Sequence, residues 1–371
     1  MIRTGLDNID AASNILKGAR IGLMTNPTGV NARMESAIDI IHGRYTLSAL
    51  FACEHGVRGC VPAGEHVDSF TDPKTGVPVY SCYGASTHLS QEMLDSFDVF
   101  VYDIQDAGAR FYTFIYSLSD AMQDCVRAGK PVVVLDRPNP LGGEIAQGTL
   151  LDEAFSSFVG RFAMPTRYAL TAGEFALWVK EHAQLDLDLT VVPMSGWKRG
   201  MRYGDTGLLF VPPSPNLSTL HAAEVYTGTC IFEGCNVSEG RGTALPFELI
   251  GAPFLDGEAL VKRMRALRLP GFAFREAYFT PACSKHAGKQ CAGVQIYVTD
   301  RDKADSPLLG LLLMDEIRDL CGTAFEWKGC IDRLLGTDEY RLGACDGRAL
   351  IEKHAAKVAA WQEQSRKFWL C

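Results

Sequence analysis

With 371 residues, 47% hydrophobic and 22% charged, the chain can bury one large core or two ordinary ones and carries no compositional mark of disorder. Its net charge of −8 and isoelectric point near 5.5 lack the basic field that a phosphate backbone requires, which argues against nucleic acid and leaves any acidic ligand to local arginines. The opening Met1-Ile2-Arg3-Thr4-Gly5-Leu6-Asp7 is not an export signal and no apolar run is long enough to cross a bilayer, so a soluble, cytoplasmic chain without a membrane partner is expected.

In chain order, short β-rich apolar runs at Ile21 to Thr25, Leu47 to Ala52, Val99 to Ile104 and Val132 to Leu135 are separated by helical patterns, notably Phe114 to Ala128. This alternation predicts an α/β fold, a mostly parallel sheet with helices on both faces, whose ligand site lies at the carboxyl ends of its strands. Three of those ends are polar. Cys53-Glu54-His55-Gly56-Val57-Arg58 follows the second run, Asp103-Ile104-Gln105-Asp106-Ala107-Gly108-Ala109-Arg110-Phe111-Tyr112 the third, and Asp136-Arg137-Pro138-Asn139 the fourth. Of these acids Asp136 reads most readily as structural, since a strand-end Asp commonly caps a helix or turn. Phe111, Phe114 and Tyr116 open the helix at core spacing, and Tyr112 can still offer its hydroxyl to a ligand.

Further along, a helix opens at Thr171-Ala172-Gly173-Glu174, a strand-like run covers Leu187 to Pro193, and the Pro-rich Val211 to Asn216 leads into another helix. Glu233-Gly234-Cys235-Asn236-Val237-Ser238-Glu239-Gly240-Arg241-Gly242-Thr243 then gathers acids, a guanidinium, hydroxyls and glycines in one loop, a density that suits a ligand. Gly251 to Asp256 reads as a linker. Helices at 257–268, 306–320 and 346–367 and a strand at Gly293 to Thr299 then make a smaller α+β unit, so the domains are expected at 1–248 and 249–371.

Missing signatures narrow the chemistry. No Gly-x-Gly-x-x-Gly follows the first strand, and the chain has no phosphate-binding loop, no Gly-x-Ser-x-Gly elbow and no His-Glu-x-x-His. The twelve cysteines form no Cys-x-x-Cys pair, and the eight histidines show no ligand spacing, so free thiols are expected, with no cofactor and no metal. Carboxylate chemistry remains, and glycoside hydrolysis is its commonest form: one acid protonates the departing oxygen while another group attacks or activates water. Glu54, Asp103, Asp106 and Glu239 are the available acids, and the residues alone do not pair them.

The blocks FACEHGVRG, VYDIQDAGARFYTFI, VLDRPNPLGG, PPSPNLSTLHAAEVYTGTCIFEGCNVSEGRGTALPFELIGAPF and CAGVQIYVTD resemble, in the same order from about Ile21 to Asp300, the family once called DUF1343, whose characterised members are exo-β-N-acetylmuramidases. The resemblance implies a Rossmann-like domain joined to a smaller C-terminal one that closes the active-site cleft. It also implies release of terminal N-acetylmuramic acid from the non-reducing end of peptidoglycan fragments, a small muropeptide or amino-sugar disaccharide as substrate, and a part in cell-wall recycling. Carried over by motif, it places Glu54 and His55 (EHG), Asp103, Asp106, Arg110 and Tyr112 (DIQDAGARFYT), Asn216 (PSPN), and Glu239, Arg241 and Thr243 (SEGRGT) at the site. Cys53 and Cys235 stand where the family usually has Pro and often Thr. The expected roles are catalysis for Glu54, Asp106 and Glu239, with Glu54 the general acid and Asp106 or Glu239 its counterpart. His55, Asp103, Arg110, Tyr112, Asn216, Arg241 and Thr243 are expected to bind substrate, Arg110 and Arg241 being suited to the lactyl carboxylate that distinguishes the muramyl sugar. The competing readings are a muropeptide sensor that does not cut and another cell-wall hydrolase on the same scaffold.

Overall fold

The computed structural model describes residues 1–54, 56–58, 69–84 and 87–371. In chain order the first half runs α1 (Ser13–Leu16), β1 (Arg20–Thr25), α2 (Ala37–Arg44), β2 (Thr46–Ala52), β3 (Phe70–Thr71), β4 (Pro78–Ser81), α3 (Gln91–Asp95), β5 (Val99–Asp103), α4 (Phe114–Ala128), β6 (Val132–Leu135), β7 (Gln147–Leu150), β8 (Pro165–Arg167), α5 (Ala172–His182) and β9 (Leu189–Val192). The second half runs α6 (Leu220–Thr229), β10 (Leu249–Ala252), α7 (Gly257–Ala266), β11 (Phe272–Phe279), β12 (Cys291–Val298), α8 (Ser306–Cys321), α9 (Ile331–Leu335) and α10 (Gly347–Ser365).

Seven strands form the larger sheet in the order β3-β4-β2-β1-β5-β6-β9, parallel throughout except at the β3 edge. Its inner strands are buried on both faces, which is why they read as continuous apolar runs. Against one face pack Leu6, Ile9, Ile38 and Ile41; against the other pack Phe114, Leu118 and Met122 of α4, in a core that continues to Leu309, Leu313 and Trp361. Local chemistry sets the helix ends: Thr171 and Glu174 form a capping box on α5, and α4 stops at Gly129 in the left-handed region. The four strands expected from the sequence appear as β1, β2, β5 and β6. Since β2 and β5 flank β1, the chain changes direction across the sheet there, and a crevice opens beyond those strand ends.

A three-stranded antiparallel sheet, β10-β12-β11, anchors the C-terminal part. The stretch from Gly251 expected to be a linker is in part this sheet: Gly251 and Ala252 belong to β10 and pair with Gly293 and Ala292. The short apolar run Leu249–Ala252 is enough for a strand buried along its length. α6 packs on α8 and β12, and the two helices meet backbone to backbone. A Cβ on Gly228 would stand 1.8 Å from the Ser306 carbonyl oxygen, and one on Gly310 2.0 Å from that of Gly228. α10 returns to the first half, where Trp361 Nε1 donates to the Tyr168 carbonyl at 3.2 Å and Gln362 Nε2 to that of Glu144 at 2.6 Å.

Asp136, after β6, is structural as expected. One carboxyl oxygen accepts from the Gly173 and Arg137 N–H groups at 2.8 and 3.0 Å, and the other from the Thr171 hydroxyl at 2.9 Å. Burial, with the Glu174 charge beside it, pushes its carboxyl up to about 7.

Two outcomes follow from this packing. Gly228→Ala forces α6 away from α8 and lowers stability by about 1–3 kcal/mol in urea denaturation, despite the better helix propensity of alanine. Between about pH 4 and 7 the folded chain holds a proton on Asp136 that the unfolded chain has released, so stability falls as pH rises through that window, by up to about 1.4 kcal/mol per pH unit. Asp136→Asn removes this slope in a series of denaturation curves, whatever it does to absolute stability.

Candidate active site

Beyond the strand ends, where the larger sheet faces the C-terminal part, lies a cavity of about 170 Å³. Its walls come from distant stretches: Glu54 after β2, Tyr83 after β4, the Phe111 to Phe114 segment after β5, Phe158 and Val159 ahead of β8, Tyr226 of α6, and Glu233 and Arg241 of the Gly-rich loop.

Glu54 is half-buried on this wall. Tyr83 donates its hydroxyl to Oε1 at 3.1 Å and Thr113 to Oε2 at 3.2 Å. Hydroxyls both donate and accept, so these two partners can serve the carboxylate and the carboxylic acid alike. Burial and the neighbouring Glu54 push the Tyr83 phenol up to about 12, which keeps it a donor. Tyr83 also leans on Phe158, with ring centroids 6.1 Å apart. Tyr112 lines the same wall, edge-on to Phe114 and Tyr226, and burial holds its phenol well above the usual range.

On the other wall Arg241 sits between Gly240 and Gly242, both in the left-handed region with φ of 78° and 80°. A Cβ at either would meet backbone, Leu249 O at 2.8 Å or Cys283 N at 2.6 Å, so only glycine permits this double turn. The Thr243 hydroxyl closes it by donating to the Gly240 carbonyl at 2.6 Å. Arg241 Nε and Nη2 donate to Glu233 Oε1 at 3.2 and 2.5 Å, and Nε lies 3.3 Å from Glu239 Oε1. Its Nη1 donates to no protein group among the described residues. Lys285 Nζ lies 2.7 Å from Glu239 Oε2, but its protons go to the carbonyls of Phe232, Cys235 and Val237 at 2.6, 3.0 and 2.8 Å. Glu239 Oε2 therefore receives the ammonium charge without a hydrogen bond.

Of the residues expected at the site, Glu54, Tyr112 and Arg241 are brought together on the cavity wall. The others stand elsewhere. Glu239 is 1% exposed and locked behind Arg241. Asp106 lies behind the wall, where one oxygen accepts from the Gly108 N–H at 2.6 Å and from the Tyr168 hydroxyl; burial pushes it up to about 6. Asp103 does not face a ligand but forms a fully buried two-pronged pair with Arg137, at 2.6 and 2.8 Å. Arg110 is likewise internal. Its Nη1 donates to the carbonyls of Thr149 and Met164 at 2.6 and 2.9 Å and its Nη2 to that of Leu334 at 2.8 Å, and burial lowers it to about 10. A guanidinium engaged by backbone carbonyls in this way does not reach a lactyl carboxylate. Thr243 shapes the Gly-rich turn and is off the wall. Asn216 is half-buried and also off the wall, which Ser214 reaches instead, and His55 lies outside the described residues.

Sequence reasoning missed Tyr83, Thr113, Phe158, Glu233 and Lys285. Tyr83 follows β4, a four-residue strand opened by Pro78 and too short to stand out. Glu233 lay within the Gly-rich run, but only the tight turn Cys230–Gly234 aims it at the cavity while Glu239 is buried. Among the described residues no group of three or more His, Cys, Asp or Glu side chains is placed to hold a metal ion.

Two family models match the chain, the N-terminal part of the exo-β-N-acetylmuramidase NamZ over residues 21–221 and its C-terminal part over residues 224–370. The peptidoglycan β-N-acetylmuramidase NamZ of Bacillus subtilis (strain 168) is 48% identical over 375 residues, covering 99% of this chain and 91% of that protein. Crystal structures of two DUF1343-family proteins from Bacteroides fragilis NCTC 9343 are similar along the whole chain. One has a TM-score of 0.91 at 35% identity and covers 98% of that protein, the other 0.78 at 27% and 99%. The chain belongs to the NamZ family of exo-β-N-acetylmuramidases.

Proposed function

We propose that this chain is a glycoside hydrolase that releases terminal N-acetylmuramic acid from the non-reducing end of peptidoglycan fragments, with Glu54 as the proton donor. Family membership supports the activity, and the observation that carries the role of Glu54 is its place on the cavity wall between two hydroxyl partners. As the glycosidic C–O bond breaks, its electron pair stays on the departing oxygen, which takes the Glu54 proton. Tyr83 and Thr113 then donate to the carboxylate left behind. Arg241 is the one basic side chain on that wall among the described residues, and its Nη1 is available to the lactyl carboxylate.

Glu54→Gln lowers turnover of a muramyl-glucosaminyl disaccharide by about a hundred to ten thousand fold, followed by mass spectrometry of the released sugar, and a substrate with a good leaving group restores part of the rate. Unimpaired turnover in this variant would remove Glu54 from the mechanism. Binding by the unaltered chain without cleavage would favour a sensor, and loss of an acetyl or peptide group another hydrolase. Arg241→Ala narrows the preference for muramyl over glucosaminyl substrates, measured as the ratio of kcat/KM values, and an unchanged ratio would place carboxylate recognition elsewhere.

A further inference from the structure

We propose that Glu233 is the second catalytic carboxylate of this cavity, an inference that rests on the muramidase activity proposed above. Glu54 and Glu233 are the carboxylates on the cavity wall among the described residues. The acids that sequence reasoning offered as counterparts are unsuited: Asp106 is 5% exposed and Glu239 1%, and neither reaches the wall. The Glu233 side chain is 31% exposed. Oε1 takes both N–H contacts from Arg241, while Oε2 accepts no hydrogen bond among the described residues.

The backbone beneath Glu233 is anchored. Its carbonyl accepts from the Cys330 thiol at 3.4 Å, and the Gly234 carbonyl accepts from the Lys328 N–H at 2.7 Å. Gly234 packs so closely on Ile331 that a Cβ there would stand 2.6 Å from the Ile331 Cβ. This support gives the carboxylate a defined position while one oxygen stays open, as a group acting on a reacting centre requires. Glu239 differs in both respects, since its two oxygens face the Arg241 and Lys285 cations and its side chain is enclosed. Glu239 is a positioning residue for Arg241, and through it for Glu233.

In its simplest form the step balances as a single displacement. Glu233 takes a proton from water as the water oxygen bonds to the anomeric carbon, and the glycosidic bond breaks onto an oxygen that takes the proton of Glu54. The carboxylate also offsets the positive charge that develops at the anomeric carbon. A merely structural Glu233 would serve only to hold Arg241, so its loss would act on KM through binding of the substrate carboxylate.

Steady-state kinetics of Glu233→Gln separate these roles, using a muramyl-glucosaminyl disaccharide and an aryl muramide with a good leaving group. The expected result is a fall in kcat of about a hundredfold or more on both substrates, with Glu54→Gln alone regaining rate on the aryl substrate. A kcat within about tenfold of the unaltered chain, or a loss confined to KM, overturns the assignment. Should thermal melting show that Glu233→Gln does not fold, Glu233→Asp keeps the charge and withdraws it from the cavity; kcat within about tenfold of that of the unaltered chain then overturns the proposal, and a fall of about tenfold or more supports it. An unaltered chain that does not cleave the disaccharide sinks the muramidase reading and this assignment with it, whereas an active chain with an unaffected Glu233→Gln sinks only the latter.

Discussion

An alternating row of charges, Glu233, Arg241, Glu239 and Lys285, holds the wall on which the site depends. Two carboxylates and two cations cancel, so the row can sit largely out of water without a net charge to solvate. Its members are not interchangeable. Removing an inner one strands its neighbours, and an uncompensated buried charge costs about 3–5 kcal/mol, well beyond the contribution of an exposed ion pair. The backbone takes part as well: three carbonyls occupy the Lys285 protons, and the double glycine turn sets the height of Arg241. Electrostatics and local conformation here act together, leaving one guanidinium edge and one carboxylate oxygen open on the cavity wall.

A second set of ionic groups lies beneath the rim and has a different role. Asp103 and Arg137 pair within the sheet, and Arg110 ties the β7–β8 hairpin to Leu334, itself a residue of the cavity wall. These side chains shape the site without touching what enters it. Charged groups of this kind look the same as ligand-binding ones in a sequence, because both occur after strands and beside glycines.

That ambiguity marks the limit of what the residues disclosed. The parallel sheet was legible because Val99 to Asp103 and Val132 to Leu135 are buried on both faces, and the apolar runs that result can be recognised without any knowledge of neighbours. β11 escaped notice because Arg275 and Glu276 interrupt its apolar pattern. Glu54 was legible as a strand-end acid beside His55, and Arg241 as a lone cation between glycines. Which of Glu233 and Glu239 faces the cavity was not, since irregular backbone separates them and no periodicity governs such a stretch. Asp103 and Arg110 failed as ligands for a related reason: their partners, Arg137, Thr149, Met164 and Leu334, are distant in sequence and close only after folding.

The cavity wall draws on Glu54 early in the chain and on Leu334 late in it, and Trp361 of α10 reaches the Tyr168 carbonyl only once that helix is in place. Contacts of such long range form late, because the loops that close them carry an entropic cost before any packing offsets it. During synthesis the sheet can therefore assemble while the cavity beyond its strand ends is still incomplete. The wall that carries Glu54 is closed only when α9, which brings Leu334, has docked beyond the strand ends.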